Sequence, residues 1–347
     1  IVAQGKITFT IDSFSPFCIT IKKKGSSTGG EDPVTPSGNL PSTSYTTPYY
    51  PDNTFTKVDG TDLSNGLVIK DTGGNEYVWI EVPKTAGVYP TAGLKITNFT
   101  EDEYTAIETD LHTYTDYYRR NKRGRLTSYK DEYYSDATTG LTSAQYTELK
   151  QEMLKSVYKN GGFWIGRYEA GIEKNRTSTD EEITAAPLSK AGTVENTVYP
   201  YTYVTCSQAQ TLASQLSTGK SYTSSLMFGV QWDLVLKHIE VKEVAKGTTL
   251  ATIQSALRSD SEDWGNYNSS GVILTGSNEK YKKMNIYDLT GNVWEWTLEY
   301  TTSADVPCTG RGGAYLYSGS EAPASYRNNS ITNGGVRSYG FRPSIFK

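Results

Sequence analysis

The sequence predicts an α+β protein, with several helices beside an irregular, mostly antiparallel sheet. Apolar residues on alternate positions, in short runs bounded by Gly- and Pro-containing turns, predict the strands. Four other segments carry apolar residues at helical spacing, and three of them follow a Thr suited to cap a helix. No internal repeat is evident.

The N-terminal residues predict a separate module. Residues 5–12 and 17–21 alternate like two half-buried strands. They resemble the closing strands of bacterial Ig-like surface modules, so residues 1–24 are interpreted as a β-hairpin remnant of an upstream Ig-like domain. Residues 25–51 are rich in Gly, Ser, Thr and Pro, which is linker composition. The main domain is therefore predicted to span residues 52–347.

The elements of the main domain follow in order. Residues 66–70 and 76–82 predict a hairpin around the turn at residues 73–75. Residues 163–171 predict a central antiparallel strand. Helices are predicted over residues 100–118, from residue 142 to the stop at Gly161, over residues 205–216 and over residues 230–239.

Charge and hydropathy exclude two classes of partner. The formal net charge is −4 with mixed signs, so attraction to nucleic-acid phosphates is not expected. The basic and aromatic segment 117–134 is predicted to be a solvated loop, because Asp131 and Glu132 interrupt its positive charge. No apolar run approaches the roughly 18 residues that a membrane-spanning helix needs. Membrane insertion is therefore not expected.

The residues that carry chemistry are sparse and scattered. Cys18, Cys206 and Cys308 show no metal-ligand spacing and allow at most one disulfide, so buried or free thiols are expected. His112 and His238 are far apart, each within a predicted helix. No Gly-x-Ser-x-Gly elbow or phosphate-binding loop is present. We therefore expect a protein that is not an enzyme and requires no cofactor.

The C-terminal segment has the composition of a binding surface. Tyr, Ser, Asn, Gly and Arg dominate between the Trp294-Glu295-Trp296 cluster, which is expected to pack in the core, and the apolar C-terminus. We expect Tyr315, Tyr317, Tyr326 and Tyr339 to be exposed. The predicted ligand-binding residues are Ala314, Tyr315, Tyr317, Ser318, Ser320, Tyr326, Arg327, Asn328, Asn329, Ser330, Arg337, Ser338 and Tyr339.

Several ordered motifs carry a family resemblance. Residues 163–169, 231–232, 287–296, 311–313 and 340–342 together resemble the C-type lectin-like fold of the formylglycine-generating-enzyme type, over about residues 52–347. Within that superfamily the chain resembles the variable proteins of diversity-generating retroelements, with residues 311–342 as the variable segment. Adenine mutation of an Asn codon never yields Lys, Trp, Met, Gln or Glu, and between residues 314 and 339 only Glu321 belongs to that set.

The resemblance implies a recognition protein, diversified at C-terminal positions, that binds a protein or surface-polymer ligand for adhesion or host attachment. It implies an extracellular location, on a bacterial cell surface or a phage virion. It also implies a structural Ca²⁺ site formed by Asp288 and Glu295 carboxylates with the carbonyls of Gly291 and Val293.

Two alternatives remain open. One is an oxidase related to formylglycine-generating enzyme, whose copper-binding cysteine pair has no counterpart within residues 314–337. The other is a structural fibre module, in which the C-terminal tyrosines would be buried. The sequence does not indicate an oligomeric state.

Overall fold

The computed structural model of the protein describes residues 47–125 and 127–347, together with the backbone of residues 2–3 and 6–7. The chain divides into two compact units, residues 1–35 and residues 36–347. In the first unit, strand β1 (Val2–Ala3) pairs antiparallel with β2 (Lys6–Ile7). The predicted strand at residues 17–21 and most of the predicted linker lie outside the described residues, so the proposed domain boundaries stay a prediction.

The second unit combines helices with antiparallel sheets, which confirms the predicted α+β class. Its described α-helices are α1 (Glu101–Tyr114), α2 (Asp116–Arg119), α3 (Asp136–Thr139), α4 (Ser143–Asn160), α5 (Cys206–Gln215), α6 (Gly229–Ala245) and α7 (Leu250–Arg258). Its described strands are β3 (Thr56–Lys57), β4 (Val68–Lys70), β5 (Glu76–Glu81), β6 (Gly162–Gly166), β7 (Gly171–Ile172), β8 (Tyr199–Pro200), β9 (Thr223–Leu226), β10 (Lys282–Lys283), β11 (Ile286–Tyr287), β12 (Trp294–Tyr300), β13 (Cys308–Arg311), β14 (Arg327–Ser330), β15 (Tyr339–Phe341) and β16 (Pro343–Phe346).

Local sequence signals fix three of the long helices. Thr100, Thr142 and Thr205 each accept a hydrogen bond from the backbone three residues later and complete a capping box, before α1, α4 and α5 respectively. Gly161, with φ of 72°, ends α4 in the left-handed conformation that a helix C-cap favours. The four predicted helices are present, but the one over residues 100–118 is divided at Thr115 into α1 and α2, and α6 runs beyond the predicted residues 230–239.

The larger sheet has six strands in the order β3-β4-β5-β6-β16-β9, and all its pairs are antiparallel. Strand β6 is central, as its alternating apolar sequence predicts. The C-terminal strand β16 lies between β6 and β9, pairing Ser344 with Ile165 and with Ser225. The chain terminus is therefore part of the scaffold.

A smaller sheet of four strands, in the order β14-β13-β12-β15, carries the C-terminal segment. Strands β12, β13 and β14 pair antiparallel, and β15 runs parallel to β12. One hydrophobic core includes Trp232, Trp294 and Trp296, and a second packs around Trp79 and Trp164. Among the described helices, none has the length and hydropathy that crossing a membrane requires.

Candidate functional site

The aromatic cluster at the start of β12 forms a buried base. Trp294 and Trp296 are both 1% exposed. The Trp296 ring stacks on Tyr339 at a centroid distance of 4.2 Å, and its Nε1 donates to the Val204 carbonyl at 2.9 Å. The two tryptophans therefore pack in the core and do not present a platform to solvent.

Exposed side chains of the C-terminal segment surround this base. The rings of Tyr317 and Tyr326 lie 5.5 and 5.8 Å from the Trp294 ring and are 39% and 42% exposed. Asn328 is half-buried and its Nδ2 donates to the Tyr339 hydroxyl at 2.6 Å. We call Tyr317, Tyr326 and Asn328, together with the rim of Tyr339, the aromatic patch.

The backbone beneath the patch is held by residues from outside the segment. The Tyr267 hydroxyl oxygen lies 2.9 Å from the Gly312 carbonyl oxygen and 2.8 Å from that of Ala322, so it spans the loop between them. Trp232 Nε1 donates to the Ala324 carbonyl at 3.0 Å. The path of the chain through the patch therefore depends little on the exposed side chains.

The predicted ligand-binding residues separate by burial. Tyr317, Ser320, Tyr326, Asn329 and Arg337 are exposed, Ser318, Asn328, Ser330 and Ser338 are half-buried, and Ala314, Tyr315, Arg327 and Tyr339 are buried. The prediction that Tyr315 and Tyr339 are exposed is wrong. They are 7% and 6% exposed because Tyr339 packs on Trp296 and the Arg337 guanidinium lies over the Tyr315 ring.

Arg327 is a second correction, because it belongs to a buried ion-pair cluster. Its Nε lies 2.8 Å from Glu299 Oε1, and its Nη2 lies 2.6 Å from Asp233 Oδ2. Arg311 bridges the same two carboxylates at 2.7 and 3.0 Å. Burial alone would lower the pKa of Arg327, but the two carboxylates outweigh it and the pKa is raised. We call these four residues the ion-pair cluster.

Three exposed apolar residues of the segment were not among the predicted binding residues. Leu316, Ile331 and Val336 are 60%, 46% and 46% exposed. Composition favoured Tyr, Ser and Asn, and an aliphatic residue in a sequence is ordinarily assigned to the core. Their position in the sequence could have identified them. Leu316 directly precedes Tyr317 and Val336 directly precedes Arg337, so they lie on the same loops as predicted binding residues.

The predicted calcium residues lie in a buried carboxylate group. Glu295 pairs with Arg342 at 2.6 Å, while Asp288 Oδ2 accepts from the Gly276 N–H at 2.7 Å. Asp288 Oδ1 is buried without a hydrogen-bond partner in the described chain. Glu169, which was not predicted, accepts from Asn292 Nδ2 at 2.7 Å.

Electrostatics favour a neutralising species in this group. Three buried carboxylates, those of Glu169, Asp288 and Glu295, face the single guanidinium of Arg342. Burial, with the neighbouring carboxylates, raises the pKa of Glu169 well above its usual range, and burial raises that of Asp288 to about 7. Bound protons or a cation would relieve the excess negative charge. The Asp288 and Glu169 oxygens suit a hard cation, whereas those of Glu295 already accept from Arg342.

A second acidic group is less suited to a metal. Glu108, His112 and Asp131 are the one group of three His, Cys, Asp or Glu side chains in the described residues whose ligand atoms lie within 4.8 Å of each other. Asp131 accepts from the backbone N–H groups of Gly229 and Val230 at the start of α6. Lys150 Nζ lies 3.0 Å from Glu108, so a positive charge already pairs with this carboxylate.

Two of the three cysteines are neighbours in the core. Cys206 and Cys308 are free thiols, 1% and 0% exposed. A hydrogen bond with Cys308, together with burial, raises the pKa of Cys206 well above its usual range. Cys206 therefore favours its protonated form, and neither thiol is open to a substrate. Cys18 lies outside the described residues.

No protein-family model matches the chain, and no curated protein matches it. Among solved structures, Treponema denticola variable protein 1 is similar at 16% identity, with 54% of this chain and 85% of that chain covered and a TM-score of 0.35. CarF is similar at 15% identity, with coverages of 53% and 86% and a TM-score of 0.33. PvdO from Pseudomonas aeruginosa is similar at 15% identity, with coverages of 54% and 82% and a TM-score of 0.34. A TM-score below 0.5 does not establish a common fold.

Proposed function

We propose that the protein is a non-catalytic recognition protein with a C-type lectin-like domain that binds a ligand through the aromatic patch. One observation carries this proposal. The patch presents the exposed Tyr317 and Tyr326 and the half-buried Asn328 on a backbone that is fixed by Tyr267, Trp232 and the ion-pair cluster. Tyr side chains supply a large amphipathic contact with little loss of conformational entropy.

The proposal includes diversification of the segment 311–342 by a retroelement. The backbone of the loop is held by Tyr267 and Trp232, which lie outside the segment, so we expect its exposed positions to tolerate change. We propose a protein or surface polymer as the ligand, since a spread of exposed side chains suits a broad surface. The proposed location is extracellular, on a bacterial cell or a phage virion.

A binding experiment on the whole chain tests the proposal. The protein and its Tyr317→Ala/Asn328→Ala double variant are applied to an array of microbial polysaccharides and bacterial surface proteins. We expect the protein to bind at least one class of target and the variant to lose that binding, because both side chains belong to the patch. A Leu94→Ala/Val194→Ala variant, altered at exposed positions elsewhere, is the control.

Two results would contradict the proposal. Equal binding by the protein and the patch variant would show that the patch is not the binding surface. A patch variant with a lowered unfolding midpoint would show that these side chains support the core.

We also propose that the unpartnered carboxylate oxygen of Asp288, with an oxygen of Glu169, holds a structural Ca²⁺, while Glu295 stays paired with Arg342. The unpartnered Asp288 oxygen and the excess negative charge support this proposal. Added Ca²⁺ is expected to raise the unfolding midpoint, and Asp288→Asn is expected to abolish that rise. The calcium proposal is wrong if titration calorimetry detects no Ca²⁺ uptake and a chelator leaves the unfolding midpoint unchanged.

A further inference from the structure

A cleft of about 520 Å³ lies beside the aromatic patch. One wall is the loop that contains Lys122, Arg123 and Tyr129, and the other is the chain from Pro323 to Arg327. Tyr326 belongs both to this wall and to the aromatic patch. The volume is within the range of roughly 300–1,000 Å³ that is usual for small-ligand sites.

The cleft is positively charged. Of the described residues that line it, four are Lys or Arg and none is Asp or Glu. The charge of Arg327 is matched by Asp233 and Glu299, which leaves Lys122, Arg123 and Arg258. Among the described residues, Arg123 and Arg258 have no carboxylate partner within ion-pair distance.

Arg258, at the end of α7, is held by contacts with Tyr117 that leave some of its N–H donors without a partner in the described chain. Its guanidinium lies 3.5 Å from the centre of the Tyr117 ring, and its Nη1 donates to the Tyr117 carbonyl at 3.2 Å. Its Nε is buried and has no hydrogen-bond partner in the described chain. Because no carboxylate of the described chain pairs with this guanidinium, an anion in the cleft would be attracted to its charge.

The remaining charges near the cleft leave this conclusion unchanged. Lys122 Nζ donates only to the Ser320 carbonyl, at 3.3 Å, and is exposed to solvent. Glu321 interacts electrostatically with Lys122, but its hydrogen bonds go to Ser318.

The uncharged lining favours a sugar over a peptide. Asn121, Thr127 and Ser128 offer amide and hydroxyl groups that match sugar hydroxyls. Tyr326 is 42% exposed, and together with the half-buried Tyr129 it gives the cleft aromatic rings that suit the apolar face of a pyranose.

We propose that this cleft binds an acidic sugar unit of a carboxylated or sulfated polysaccharide. The proposal rests on the recognition function proposed above and specifies the class of ligand. The acidic group pairs with Arg123, Arg258 and Lys122, the ring lies against the tyrosines, and the rest of the polymer extends over the aromatic patch. The net charge of −4 means that a polyanion is attracted by the cleft and not by the protein as a whole.

The test uses biolayer interferometry with four immobilised polymers: polygalacturonate, dextran sulfate, neutral dextran and poly-L-glutamate. We expect binding to polygalacturonate or dextran sulfate and none to neutral dextran, and which of the two acidic polymers binds identifies the acidic group. The Lys122→Gln/Arg123→Gln variant should bind about tenfold more weakly, the usual effect of losing a hydrogen bond to a charged group. Both side chains are exposed, so the variant is expected to fold normally.

The matched control is Lys57→Gln/Lys70→Gln, which removes two exposed cations from β3 and β4 of the larger sheet. Equal weakening by both double variants, or no binding to either acidic polysaccharide, would overturn the proposal. If poly-L-glutamate binds as tightly as the acidic polysaccharides, the proposal of a sugar ligand is wrong and the cleft binds an acidic peptide instead. If the array described above detects a ligand that depends on Tyr317 and Asn328 but not on Lys122 and Arg123, the recognition function stands and the cleft proposal fails.

Discussion

Arg327 and Arg337 have the same chemistry in the same Tyr- and Ser-rich segment, yet the structure assigns them opposite roles. Arg327 is 7% exposed and bonds to two buried carboxylates, whereas Arg337 is exposed and lies over the Tyr315 ring. Removing one partner of a buried ion pair leaves an uncompensated charge. Burial therefore separates a scaffold residue from a surface residue where sequence composition does not.

The first prediction compares these two arginines. Arg327→Gln should lower the free energy of unfolding by about 3 kcal/mol, because Asp233 and Glu299 lose a buried partner. Arg337→Gln, the matched control, should change it by no more than about 0.5 kcal/mol. Denaturant unfolding measures both, and equal effects would show that Arg327 is not a scaffold residue.

His238 gives a prediction for pH. The side chain is buried in α6, and its Nδ1 accepts from the Glu81 N–H at 3.1 Å. Burial, followed by the charge of Lys242, lowers the pKa of His238 from 6.5 to about 3. The folded state therefore binds this proton less readily than the unfolded chain does, so stability present above pH 6.5 is lost as the pH falls.

Between pH 7 and pH 5 this one group should remove about 2 kcal/mol of stability. In the His238→Gln variant, which keeps an acceptor for the Glu81 N–H, the fall in stability over that range should be smaller by the same amount. Denaturant unfolding at the two pH values measures it. If the variant loses as much free energy of unfolding between pH 7 and pH 5 as the unaltered protein does, another titrating group causes the loss.

At the scale of elements, the turn after β13 directs the chain from the core to the aromatic patch. Gly312 and Gly313 have φ of 86° and 89°, a conformation that favours glycine. A Cβ on Gly312 would come within 2.6 Å of the Leu289 carbonyl oxygen and within 3.2 Å of the Trp232 ring. The Arg-Gly-Gly sequence thus joins the ion-pair cluster to the patch through a turn with no room for a side chain.

Gly312→Ala is therefore expected to destabilise the fold by more than about 1 kcal/mol. Gly219→Ala is the matched control, because Gly219 also has positive φ, at 70°, but has open space around it. The difference between the two variants in free energy of unfolding, measured by thermal or denaturant unfolding, gives the part of the destabilisation that comes from the steric clash. Equal losses would indicate backbone strain alone.

The sequence predicted elements best where a local signal decides them. The Thr caps of α1, α4 and α5 act within a few residues, and the central strand β6 shows its apolar alternation. Helix α7 was missed, although Thr249 caps it and Ile253 and Leu257 are buried at helical spacing. The pairing of β16 between β6 and β9 depends on long-range contacts, which local patterns do not record.

The candidate site was predicted in part. Of the four tyrosines that were predicted to be exposed, Tyr317 and Tyr326 are exposed, and Tyr315 and Tyr339 are buried. Composition failed to separate buried from exposed members, because Tyr339 and Arg327 are buried by partners far away in sequence.

Residues 117–134 were predicted to be a solvated loop, but residues 117–119 belong to α2, and Tyr118 and Asp131 are buried. The exposed Lys122 and Arg123 line the cationic cleft.

In the molecule as a whole, the C-terminal third of the chain combines a scaffold with a proposed binding surface. The ion-pair cluster, the Trp294–Trp296 base and β16 stabilise the fold, and the exposed side chains between them are proposed to recognise a ligand. Because Tyr267 and Trp232 hold the backbone, variation at the patch is expected to leave the fold intact.

The flanking DNA tests this division most directly. We expect, beside a reverse-transcriptase gene, a near-copy of the codons for residues 314–339 that differs only at adenines. The differences should fall at codons such as those of Tyr317, Tyr326, Asn328 and Asn329, and the codon of the buried Arg327 should be spared. A locus sequenced without such a copy, or with differences concentrated at buried positions, would contradict the claim that the patch is a diversified binding surface.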